Sequence, residues 1–101
     1  MSYITNIIIT TAIEDTGMEE LNTALATARD GERFAQVDMY AGGYKAIEAD
    51  IFMAAFNYLH FRDFRLWVKK VKWQHPEQLA IFIKGQNDKR FTRFETVALL
   101  K

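Results

Sequence analysis

The run "YITNIIITTAI" from Tyr3 to Ile13 constrains this chain most, because Ile and Thr are branched at Cβ, stiff at χ1, and fit a pleated sheet better than a helix. A first strand is expected here, and the rest of the chain must supply its neighbours and a cover for one of its faces. "EDTG" follows as a turn. Thr16 with Glu19 three residues on forms a capping-box pattern, and Met18, Leu21, Leu25 and Ala28 recur at helical spacing up to Gly31. This predicts a first helix from about Gly17 to about Asp30, with Gly31 at its C-terminal cap.

"RFAQVDMY" then alternates, with Ala35, Val37 and Met39 expected inward and Phe34, Gln36, Asp38 and Tyr40 outward. Read as a three-residue hairpin loop, "AGG" returns the chain from Tyr44 to Phe56 as a second strand of the pair. In that register Tyr40 opposes Tyr44, Val37 opposes Ile47 and Ala35 opposes Ala49, so Ile47, Ala49, Ile51 and Met53 point inward while Ala46, Glu48, Asp50 and Phe52 point outward. Ile47, Ile51, Ala55, Tyr58 and Leu59 also cluster at helical spacing, but a helix would leave the preceding strand without its partner.

From His60 the pattern is helical, with Phe61, Phe64, Val68 and Val71 on one stripe and Arg62, Arg65, Lys69 and Lys72 on another. Pro76 stops that helix and introduces "EQLAIFIK", a strand with Leu79, Ile81 and Ile83 on its inner face. After Gly85, "RFTRFETVALLK" is apolar enough for a final strand or a short helix. The order β-α-β-β-α-β with an extra C-terminal element predicts a ferredoxin-like sandwich, a four-stranded antiparallel sheet with two helices on one face. With 101 residues, half of them apolar, one domain over the whole chain is expected.

The chain has no cysteine, which excludes disulfides, zinc-thiolate sites and thiol catalysis and fits a reducing compartment. It opens without a basic stretch followed by an apolar one, and its apolar runs are too short to span a membrane, so a cytoplasmic, bacterial-type protein is expected. The net charge of zero hides a split: Met1 to Phe61 holds nine Asp or Glu against three Lys or Arg, and Arg62 to Lys101 holds four against ten. A surface with two poles follows, unless folding interleaves the halves.

The expected hairpin places Asp38, Glu48 and Asp50 on one outward face, interrupting an apolar pattern. Carboxylates so placed could hold Mg²⁺ or do acid/base work, but the spacing matches no metal motif and no histidine or hydroxyl cluster accompanies them. No catalytic residue, metal or cofactor is therefore assigned. Phe34, Tyr40 and Phe52 share that face in the same register, joined by Phe82. Aromatics beside carboxylates suit a binding surface for a partner with basic residues.

RNA-recognition motifs share the strand order, yet they stack bases on aromatics of the first and third strands, where this chain has "TNIIIT" and "YKAIEADIFMAAF". Nucleic acid is accordingly not an expected partner. His60 and His75 each lack a second histidine or a nucleophile nearby, and His75 reads as a local hydrogen bonder. The expected function is a non-enzymatic interaction module of the accessory, inhibitor or immunity type, acting through Phe34, Asp38, Tyr40, Glu48, Asp50 and Phe52. The alternative is a dimeric α+β barrel enzyme or sensor with a pocket between two sheets that contains Glu48 or His60. A homodimer through the apolar part of the sheet face is expected from the aromatic content and the split charge.

Overall fold

The β-branched run becomes β1 (Ile4–Thr11), the central strand of a five-stranded antiparallel sheet in the computed structural model, which describes residues 3–94. Along the chain follow α1 (Gly17–Ala28), β2 (Ala35–Gln36), β3 (Asp50–Asn57), α2 (Phe61–Lys70), β4 (Ala80–Gly85) and β5 (Thr92–Phe94). The sheet order is β2-β3-β1-β4-β5. This small α+β architecture is roughly compatible with the expected sandwich, but it has five strands rather than four. Of the segment left undecided between strand and helix, Thr92–Phe94 is a strand against β4, and residues 95–101 lie outside the described residues.

Register and burial identify the core face. Ile9 stands between Phe52 on β3 and Ile81 on β4, and Ile7 between Ala54 and Ile83. These side chains form one cluster with Met18, Leu21 and Leu25 of α1 and with Phe64 and Val68 of α2, so both helices cover the same side of the sheet. Each fully buried Leu, Ile or Phe here contributes about 1.5–3 kcal/mol relative to exposure. Leu79, Ile81 and Ile83 point inward as expected, whereas Phe61, placed on the buried stripe by spacing, is exposed at the first turn of α2. No helix among the described residues is long and apolar enough to cross a membrane.

Helix α1 starts differently from the capping-box expectation. Thr16 makes no side-chain cap bond; instead the buried carboxylate of Asp15 accepts the Gly17 N–H at 2.9 Å. The same carboxylate accepts N–H groups of Gln74 at 3.2 Å and His75 at 2.9 Å, tying the β1–α1 turn to the α2–β4 connection. Beside this knot the ring of Trp73 lies over Gly17 and donates its Nε1–H to the Val68 carbonyl. A Cβ at residue 17 would stand 2.7 Å from Trp73 Cζ3, which is why glycine occupies the first turn. At the other end Gly31, at φ +87°, donates its N–H to the Ala26 carbonyl and closes the helix as expected.

The hairpin between residues 34 and 57 departs most from expectation. Ala35 pairs with Met53 rather than Ala49, and Gln36 with Phe52, a slip of four residues that turns the expected three-residue loop into a long connection. A slip of four keeps the alternation, so the two strands still agree on their faces. The face turned to the core, however, is the opposite one: Phe34, Phe52 and Phe56 are buried, while Ala35 and Met53 are exposed. The physical reason is area. Three phenyl rings bury far more apolar surface under the helices than Ala35, Val37 and Met53 would, and Phe34 packs edge-on against Phe56 with centroids 5.3 Å apart.

Candidate interaction site

The connection from β2 to β3 is built from its base outward. After Gln36 the Val37 N–H still donates to the Ile51 carbonyl at 2.8 Å, and then the chain turns through a single 3-10 turn over Asp38–Tyr40. Asp38 stands in for the missing strand: its Oδ1 accepts the Ile51 N–H at 3.1 Å, so a side chain completes a bond that backbone would make in a longer ladder. That bond, with a second from the Gln36 side chain, holds the Asp38 carboxyl below its ordinary value.

Beyond this clamp every residue from 39 to 48 is exposed. Met39 is 61% accessible, Tyr40 83%, Tyr44 109% and Ile47 43%, so four large apolar side chains stand in solvent within ten residues. Gly43 at φ +97° turns the tip, a conformation that favours glycine. Lys45 and Glu48 are the charged residues of this stretch, with Asp38 and Asp50 at its two ends.

The structure therefore redistributes the six residues singled out from the sequence. Tyr40, Asp38 and Glu48 belong to the projecting loop. Phe34 and Phe52 do not share an outer face with them: both rings are core, and Phe34 is pinned by Asn22, whose side chain accepts the Phe34 N–H at 2.7 Å and donates to its carbonyl at 3.3 Å. Asp50 opens β3 on the helix side of the sheet and accepts the Glu14 N–H at 3.0 Å. Asp38 and Asp50 thus bond to different stretches of backbone, and among the described residues no three His, Cys, Asp or Glu side chains form a metal-binding group. Sequence reasoning missed Met39, Tyr44 and Ile47, having given Met39 and Ile47 to the core. The available signal was "AGG" between two tyrosines, three small residues with too little side chain to hold a tight hairpin against a core.

Two other surfaces frame the loop. A cleft of about 810 Å³ lies where the β1–α1 turn meets the ends of β2 and β3, with Phe34 and Phe52 at its floor and Glu14, Glu19, Arg33 and Asp50 around it. Asp15 also lines it; burial pushes its carboxyl up, but the N–H groups of Gly17, His75 and Gln74, together with the nearby imidazole of His75, outweigh this and hold it below its ordinary value. On the far side of the sheet, Ile8 stands between Met53 and Phe82, an apolar row that no helix among the described residues covers, with Lys84 and Arg93 toward the β5 edge. Phe82 is thus outward as expected. His75 acts locally, donating its N–H to Asp15 and placing Nδ1 3.5 Å from Glu77, and His60 sits exposed at the N-terminal boundary of α2. No protein-family model, no curated protein and no solved structure matches this chain.

Proposed function

We propose that this chain is a small non-enzymatic interaction module that grips another protein with the loop over residues 39–48, built on a ferredoxin-like sandwich extended by one edge strand. The observation that carries this reading is the exposure of Met39, Tyr40, Tyr44 and Ile47 on a stem clamped by Asp38. Large apolar side chains gathered on a protruding loop gain nothing from the fold they leave, and tyrosine gives wide contact area at the cost of only two ordered torsions. Tyr40 and Tyr44 are the anchors. Glu48 and Asp38 flank them and favour a partner whose surface is basic, chiefly by speeding encounter. Asp15, Asp38 and Asp50 support the non-enzymatic reading, since each commits a carboxylate oxygen to a backbone N–H. The lack of cysteine suits a cytoplasmic setting.

The test is affinity capture from the native host with the wild-type chain and the Tyr40→Ala/Tyr44→Ala variant side by side, followed by binding kinetics with whatever partner is recovered. The double variant is expected to lose the partner with its fold unchanged by circular dichroism, and Glu48→Lys to slow association far more than Glu48→Gln, in a salt-sensitive way. Partners retained equally by the double variant would refute the reading.

A further inference from the structure

The charge split of the sequence survives folding on the outer surface of the helical layer. Helix α1 carries Glu19 and Glu20 and no basic residue, whereas α2 carries Arg62, Arg65, Lys69 and Lys70 against Asp63. Between the helices runs a groove of about 700 Å³ lined by Thr23, Ala24, Thr27 and Ala28 of α1 and by Trp67 of α2, with Glu19 and Glu20 at its margin. The threonines are less polar than their names suggest. Thr23 donates its hydroxyl to the Glu19 carbonyl at 2.9 Å and Thr27 to the Thr23 carbonyl at 3.0 Å, so both hydroxyls turn back onto the helix and leave methyl groups outward. On the outward face of α2, one residue round from Trp67, Leu66 is 44% exposed, and Arg62, Lys69 and Lys70 share that face at helical spacing.

We propose that this groove is the interface between two copies of the chain. A twofold axis running along the groove lays α1 of one copy over α2 of the other, and does so twice. Each acidic helix then meets a basic one, while the alanines, threonine methyls, Leu66 and Trp67 fill the centre. The surface is complementary to itself, as an isologous dimer requires. A twofold that instead stacked α1 on α1 would run the copies antiparallel, set basic α2 against basic α2, and leave Glu19 and Glu20 opposite the uncharged last turn of the other α1. Opposite charge chooses the first arrangement. The dimer leaves the 39–48 loops free, so it is independent of the function proposed above.

Light scattering on the purified full chain across a concentration and salt series tests this. The wild type is expected to dimerise, with a dissociation constant that rises with salt. Thr27→Arg, which puts a long charged side chain into the groove from an exposed position, should leave a monomer. Glu19→Lys and Lys70→Glu should each weaken self-association about tenfold or more by setting like charges together. Mixed one to one, the two variants should dimerise as well as the wild type, because in the mixed pair one contact is the wild-type pairing and the other is its reversal. Recovery on mixing also proves both variants folded. A wild type that stays monomeric up to its solubility limit would overturn the proposal, as would a dimer abolished by Met53→Arg on the open sheet face but untouched by Thr27→Arg, or single variants that do not recover on mixing.

Discussion

Asp15 and Asp38 are both carboxylates that accept backbone N–H groups in place of a missing backbone partner, but their surroundings differ. Asp15 is 6% exposed and joins the β1–α1 turn to the α2–β4 connection through Gly17, Gln74 and His75, beside the buried ring of Trp73. Asp38 is half-exposed, bonds the Ile51 N–H, and closes only the base of a loop whose large side chains touch solvent. The first region spends its chemistry on holding the fold together. The second spends it on holding side chains away from the fold. In one molecule the same interaction thus serves stability where it is buried between segments and presentation where it is not.

The sharpest way to break this contrast is to delete each region's key group and compare stabilities by urea unfolding. Asp15→Ala orphans three N–H groups at a buried site and is expected to cost about 3–4 kcal/mol. Gly17→Ala drives a methyl into the Trp73 ring, which cannot swing away without losing its bond to Val68, and should cost about 2–3 kcal/mol.

Acid separates the wild type from Asp15→Ala in a second way. Because the folded carboxyl lies below its ordinary 3.8, its contribution is complete above that pH and is lost as pH falls through the folded value. Wild-type stability should therefore drop more steeply below about pH 4 than that of Asp15→Ala, and parallel acid limbs would show that Asp15 is not held ionised by its neighbours. At the other extreme, Tyr40→Ala/Tyr44→Ala should change stability by no more than about 0.5 kcal/mol, since neither ring is buried. A loss of several times that size would mean the loop packs on the fold after all, and the contrast between the two regions would fail.

Much of the fold was legible in the residues themselves. The β-branched density of β1, the helical spacing of Met18, Leu21 and Leu25 up to Gly31 and the inward parity of Leu79, Ile81 and Ile83 each have one dominant local solution, and the structure adopts it. The second helix does not run to Pro76 as its spacing suggested: α2 ends at Lys70, Val71 turns extended, and Pro76 opens a 3-10 turn instead. The candidate site was legible only in part. Tyr40, Asp38 and Glu48 stand on the exposed loop, yet Phe34 and Phe52 were placed outward because the wrong face of the hairpin was taken as core.

What the sequence by itself determined is the order and type of most elements, because spacing, caps and breakers act over a few residues. What only the tertiary structure decided is which side of the 34–57 hairpin becomes core. Apolar residues lie on both faces of that segment, Ala35, Val37, Ile51 and Met53 on one and Phe34, Phe52 and Phe56 on the other, so alternation alone is symmetric between them. The space beneath α1 and α2 breaks the symmetry. Beside Leu25 and Phe64 there is room for rings and a penalty for leaving it empty, so the phenylalanines turn inward, in a register four residues from the expected one. The four residues of slip lengthen the turn, and the lengthened turn is what carries Tyr40 and Tyr44 out into solvent.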